Sequence, residues 1–253
     1  MAVNKKVGLA LGGGAALGAA HIGVLRCLEE KGFEITHIAG TSIGALVGGA
    51  YACGVSTAEL TKFARRARWT KLTRLSIPRM SLFANNRLRD SILRLVGDRK
   101  VNETLIPFAA VATSLETGEQ VVQREGSLTD AILASCAIPG IFEPVEIDGD
   151  LLCDGGIANQ VPDDIVWDMG AGQVIAVDLI SNVAGRERPE NIFGVIYKSL
   201  NILMKRTIFY NENTMVITIP TAGFSTVDLN NYRALIRNGY QAAEKALAKM
   251  WPE

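Results

Sequence analysis

Gly40-Thr41-Ser42-Ile43-Gly44 is the stretch on which the fold turns. An apolar segment, Ile35 to Ala39, precedes it, and a run of small residues, Ala45 to Ala52, follows. A serine between two glycines at a strand-to-helix junction forms a nucleophile elbow, a sharp turn that lifts the hydroxyl clear of the sheet. The helix beyond aims its first N–H groups at negative charge forming there. Such a turn serves acyl transfer, which also needs a base and an oxyanion site.

Before the elbow, Val7 to Leu11 is a second short apolar strand, ended by Gly12-Gly13-Gly14. Ala16 to Lys31 has helical spacing, with Gly32 as its stop. Strand, glycine loop, helix, strand, elbow, helix is a β-α-β-α order, which predicts an α/β/α sandwich around a mostly parallel sheet. Further along, the pattern predicts mostly helix from Leu60 to Asn102. Strands follow at Phe108–Thr113 and Glu119–Gln123, a helix at Leu128–Cys136, and short strands at Val145–Ile147 and Leu151–Cys153. A helix over Pro162–Met169, a strand over Val174–Val177, a helix over Asn191–Tyr210, a strand over Met215–Ile219 and a helix over Leu229–Lys249 complete the pattern. No repeat or linker interrupts the 253 residues, so one domain over 1–253 is expected.

The chain is 48% hydrophobic and 21% charged, enough apolar material for a core. Its formal net charge is zero, which gives no general attraction to nucleic acid. Cys27, Cys53, Cys136 and Cys153 form no C-x-x-C pair and have no histidine at metal-ligand spacing, so they predict reduced thiols in a cytoplasmic protein and no bound metal. Two uncharged stretches imitate other signals. Met1 to Ala20 is too rich in glycine for an export signal, and His37 to Ala58 is better explained as strand, turn and helix than as a membrane span.

One segment is strongly basic: nine Lys and Arg and no Asp or Glu between Leu60 and Arg89, interleaved with Phe63, Trp69, Leu72 and Phe83. It fits a solvated face paired with acids elsewhere. It also fits contact of Lys62–Arg89 with an anionic membrane surface, as a lid over the site, which would place the protein at the inner membrane face. Nucleic acid is not expected, because no recognition module accompanies it.

The base is the harder question. Both histidines, His21 and His37, precede Ser42, so a Ser–acid–His order is impossible. His37 belongs to the far end of the strand entering the elbow. His21, in the first helix, is a buried or capping residue, with a role as base left open. Asp154, ending the strand Leu151–Cys153, is the main candidate, since sites gather at the carboxyl ends of parallel strands. The rival reading of Asp154-Gly155-Gly156 is a plain turn. The loop Gly12 to Gly18 can point backbone amides at an oxyanion. Its spacing is only approximately that of a dinucleotide loop, and no distinctive acid follows.

Taken together, four segments resemble the patatin-like phospholipase family: the glycine loop running into Gly18-Ala19-Ala20-His21-Ile22-Gly23, the elbow, Ala134-Ser135-Cys136-Ala137-Ile138-Pro139-Gly140, and Asp154-Gly155-Gly156. The resemblance covers Val7 to Pro162. It implies a three-layer fold and hydrolysis of lipid acyl esters by a Ser42–Asp154 dyad, with no cofactor. The amides of Gly13, Gly14 and Ala15 would form the oxyanion site, with Gly12, Gly18, Gly40, Gly44, Gly155 and Gly156 as motif glycines. Two positions depart from the family pattern: Ala15 stands where the family has glycine, and Leu17 where it has a basic residue. A non-catalytic interaction or regulatory protein on the same scaffold is the alternative those departures raise.

Overall fold

A computed structural model describes residues 5–67, 81–182, 188 and 192–251. The chain opens with β1 (Lys6–Leu11), a 3-10 turn over Ala15–Gly18, α1 (Ala19–Glu30), β2 (Glu34–Thr41), α2 (Ile43–Ala52) and α3 (Thr57–Arg66). Next come β3 (Ser81–Phe83), α4 (Asn86–Val96), β4 (Phe108–Ser114), β5 (Gln120–Gln123), α5 (Leu128–Ser135), β6 (Gly140–Phe142), β7 (Val145–Ile147) and β8 (Asp150–Asp154). The rest is α6 (Asp163–Asp168), β9 (Val174–Asp178), α7 (Ile192–Met204), β10 (Met215–Thr218) and α8 (Tyr232–Met250).

The main sheet runs β10-β9-β1-β2-β4-β8-β7, with β5 paired to β4. The pairs among β10, β9, β1, β2 and β4 are parallel. Successive side chains of these strands face opposite layers. Leu9, Leu11, Ile38, Ala110, Ile175 and Val177 face the larger core, built with α1, α2 and α8. Ala10, Ala39, Ala109 and Ala176 face the smaller one, where Ile165 and Val166 of α6 close over these small residues. Helices thus cover both faces, as the β-α-β-α order predicts. The chain leaves β1 toward β2 on one side and adds β9 and β10 on the other. The loops after β1 and β9 therefore diverge and leave a crevice at the strand ends.

Four differences from the sequence expectation have local causes. The first helix starts at Ala19, because Ala15 sits at φ 49° and the chain makes a 3-10 turn before it can enter α1. The stretch from Leu60 is not mostly helical to Asn102. α3 ends at Arg66, and Ser81–Phe83 pairs in parallel with Gly140–Phe142 as a second small sheet, whose Phe83 and Phe142 rings pack at 6.3 Å. Three-residue strands are too short to show a period, and this pairing is long-range. α7 stops at Met204 in a 3-10 turn rather than at Tyr210. Finally, β8 runs antiparallel to β4, with Asp154 opposite Ala112. Asp154 therefore reaches the site from a strand entering the sheet in the reverse direction, not from the carboxyl end of a parallel strand.

Candidate active site

Ser42 caps α2 from φ 54°, ψ −123°, a conformation L-residues rarely hold. What surrounds it leaves no alternative. A Cβ on Gly44 would lie 2.0 Å from the Leu11 carbonyl oxygen, so the helix can pass β1 this closely only without a side chain there. The Ser42 N–H donates to Ser135 Oγ at 2.8 Å, and Ser135 Oγ–H donates to the Val111 carbonyl at 2.5 Å. Thr41 Oγ1 ties the elbow to the loop after β8 by donating to the Asn159 carbonyl at 2.9 Å. Ser135 is fully buried, and its role is legible only in three dimensions. The sequence places it in a helix with no mark of what it touches.

The Ser42 hydroxyl donates to Asp154 Oδ2 at 2.6 Å. The other carboxylate oxygen, Oδ1, accepts the Gly156 N–H at 2.9 Å, and the Asp154 N–H donates to the Ala137 carbonyl at 2.9 Å. Both partners are buried, Ser42 to 7% exposure and Asp154 to 1%. Burial raises the Asp154 pKa to about 6, while the Ser42 hydroxyl and the Gly156 amide hold it back from rising further. Cys136 also sits against this pair, its thiol pushed well above the ordinary range by burial and by the carboxylate.

The glycine loop stands on the other side of Ser42. Its first two amides are engaged: Gly12 N–H donates to Val177 and Gly13 N–H to Gln160, both at 3.1 Å. Gly13 is therefore not an available donor, contrary to the expected set of three, because its N–H is needed to hold the loop against the chain beyond β8. Beyond them, Ala16 N–H donates to Thr226 and Leu17 N–H to Gly14. Among the described residues no hydrogen bond engages the N–H of Gly14 or Ala15. Ala15 has positive φ, so the loop keeps a shape its alanine resists. Leu17 is fully buried in the main core and turned away from the site.

Neither histidine meets Ser42 as a base. His21 is fully buried, its Nε2–H donates to the Gly12 carbonyl at 2.8 Å, and burial lowers its pKa to about 4. It is a neutral brace of the glycine loop. His37 lies mid-strand opposite Gly8, beside Thr36. Among the described residues no cluster of three His, Cys, Asp or Glu stands where it could hold a metal ion.

Two clefts meet at Ser42, sharing Ala15, Ser42 and Ile138. The larger is apolar, lined by Ile22, Leu46, Phe63, Leu88, Phe142 and Tyr232 among others, and encloses about 950 Å³ counting open solvent at its mouth. The smaller holds Gly14, Asp154, Gln160 and Asn201. Of the basic segment, Lys62, Arg65 and Arg66 lie on α3 and Arg87 and Arg89 on α4, with Arg89 ion-paired to Asp130. Arg68, Lys71, Arg74 and Arg79, and with them the middle of the expected lid, lie outside the described residues. No helix among the described residues is long and apolar enough to cross a membrane. The four cysteines are buried and free.

A family model described as patatin-like phospholipase matches residues 9–167. An uncharacterized NTE family protein of Mycobacterium tuberculosis is 40% identical over 188 residues, covering 73% of this chain and 52% of that protein. Patatin-like phospholipase domain-containing protein 6 of Homo sapiens is 36% identical over 186 residues, covering 70% of this chain and 13% of that protein. The chain thus spans about half the length of its Mycobacterium relatives and far less of the animal ones. VipD from Legionella pneumophila superposes with a TM-score of 0.57 at 16% identity, covering 96% of this chain and 67% of that one. ExoU in its complex with SpcU from Pseudomonas aeruginosa gives 0.55 at 17%, covering 97% and 52%.

Proposed function

The chain belongs to the patatin-like phospholipase family, and from that premise we propose that it is a serine hydrolase of lipid acyl esters working through a Ser42–Asp154 dyad. The observation that carries the reading is the 2.6 Å hydrogen bond from the Ser42 hydroxyl to a buried carboxylate whose pKa is raised to about 6. An ordinary aspartate is too weak a base for this proton; burial brings it into a useful range. Ser42 Oγ attacks the ester carbonyl as its proton passes to Asp154 Oδ2. The tetrahedral oxyanion is held by the amides of Gly14 and Ala15, with the N-terminus of α2 adding its dipole. Asp154 returns the proton to the leaving alcohol. It then takes one from water as the water oxygen attacks the acyl-serine, and passes it to Ser42 Oγ as that bond breaks and the fatty acid leaves.

The two clefts divide the substrate. The apolar one receives the acyl chain and the smaller one, on the Asp154 side, receives the alcohol, so the proton lands where the leaving oxygen departs. Residues 1–253 act as one domain in this reading, supported by a larger core cluster running from Val7 to Leu247 and a smaller one on the opposite face of the same sheet. The test is turnover of a panel of lipid esters by the purified chain, with Ser42→Ala and Asp154→Asn beside it. Each variant is expected to lose about 10³-fold or more in kcat. Turnover unchanged in both would remove the mechanism.

A further inference from the structure

The alcohol cleft contains a group that the dyad does not use. Gln160 is 2% exposed, and its backbone carbonyl holds the Gly13 N–H. Its side-chain amide lies between the glycine loop and the turn after Asp154. A Cβ on Gly13 would sit 2.9 Å from Nε2, and one on Gly156 would sit 2.3 Å from Oε1 and 3.1 Å from Asp154 Oδ1. The amide therefore flanks the carboxylate that handles the leaving oxygen. No hydrogen bond joins it to any described residue, although an amide offers two donors and two acceptor positions. The residue is almost wholly buried, yet its amide is not among the buried polar groups left without a partner, so it faces the space of the cleft, which apolar Ile138, Ile180, Leu200 and Met204 also line. An unbonded amide facing a mostly apolar cleft is placed to meet a polar group of whatever binds there.

The chemistry of the cleft narrows what that is. Among the described residues lining it, Asp154 is the one ionisable side chain and none is a cation. A phosphate ester would bring negative charge toward a carboxylate without the arginine or lysine that phosphate recognition uses. A neutral hydroxyl suits an amide in either orientation, giving or taking the hydrogen bond.

We infer that the Gln160 side chain recognises a free hydroxyl on the alcohol half of the substrate, so that the preferred leaving group is an uncharged, hydroxyl-bearing alcohol such as glycerol. This rests on the hydrolase reading above. It makes Gln160 a specificity-determining contact at a position where the family resemblance assigned nothing.

The experiment compares three esters of one fatty acid with the full chain: the glycerol monoester, the ethyl ester, and the acyl glycerophosphate. The glycerol ester is expected to give the highest kcat/KM. Gln160→Met, close in length and shape but without the amide, is expected to cut the glycerol-to-ethyl ratio about tenfold, the scale of one lost hydrogen bond. If Gln160→Met does not fold, Gln160→Asn, which withdraws the amide by one methylene, is expected to lower the same ratio in part. An unchanged ratio in whichever variant folds, or a wild-type preference for the acyl glycerophosphate, would overturn the assignment. Turnover of none of the three by a chain whose Ser42 still labels with a fluorophosphonate also overturns it, and leaves the nucleophile standing. No turnover and no labelling brings down the hydrolase reading itself.

Discussion

The elbow and the glycine loop flank the same hydroxyl and use the same device, a non-glycine residue at positive φ: 54° at Ser42 and 49° at Ala15. They differ in where their amides go. At the elbow the strained residue's own backbone is engaged within the protein: Ser42 N–H with Ser135, and the Ser42 carbonyl with the amides of Ala45 and Leu46. In the loop the amides on either side are engaged, and the two in the middle, Gly14 and Ala15, have no hydrogen-bond partner among the described residues. A positive φ therefore serves two ends. The elbow holds one atom in place, and the loop holds donors ready for charge that appears only during reaction.

If that contrast is right, the elbow should tolerate almost nothing. Gly44→Ala pushes a methyl to 2.0 Å from the Leu11 carbonyl, a clash with backbone that no rotamer relieves. The expected loss is about 4 kcal/mol or more, read as a fall in denaturant midpoint. A near-normal midpoint would mean the elbow is looser than its geometry.

Asp154 sets stability against activity. Because burial raises its folded pKa to about 6 from 3.8, ionisation destabilises the fold above about pH 6, and the effect vanishes below 3.8, where both states are protonated. Asp154→Asn is thus expected to be more stable than the parent by about 2–3 kcal/mol at pH 8, with the gap closing toward pH 3.5 in paired thermal melts. Parent activity should rise with pH through about 6 and level off above, as the carboxylate becomes available. A flat profile from pH 5 to 8 would argue against Asp154 as base.

Ser135→Ala separates bracing from chemistry. It leaves the buried Ser42 N–H without its acceptor, so a cost of about 1–3 kcal/mol is expected, together with a fall in kcat larger than any change in KM. The smallest effect belongs to the loop. Ala15→Gly relieves about 1–2 kcal/mol of left-handed strain and returns part of it as backbone entropy, for a net gain below about 1 kcal/mol. Its turnover is expected to stay equal or to rise. A large loss would show that the alanine methyl, which lines both clefts, contacts the substrate.

Much of this was legible from residue order. The apolar run, the glycines and the small-residue helix around Ser42 mark the elbow, and counting histidines directs attention to Asp154. What stayed hidden depends on partners far along the chain. Ser135 meets Ser42 across 93 positions and Gln160 meets the glycine loop across about 147, and although Ser135 stands in one of the resembling segments, no local pattern says what either residue touches. The pairing of Phe83 with Phe142 was unreadable for the same reason. The expected oxyanion set named Gly13 because sequence marks which amides are sterically accessible, and not which of them the fold has already engaged.

By itself the sequence determined the layered sheet, the elbow and the identity of the two groups that meet there. These follow from local sterics: glycine where backbone must turn or approach closely, and apolar residues at strand and helix periods. Tertiary structure alone decided that Asp154 arrives on an antiparallel strand and that the carboxylate is buried deeply enough to raise its pKa. It also decided that, among the described residues, Gly14 and Ala15 rather than Gly13 keep unengaged N–H groups. Burial and hydrogen-bond occupancy are properties of what surrounds a residue, and much of those surroundings comes from segments distant in the chain, as Asp154 does for Ser42 and Gln160 for Gly13.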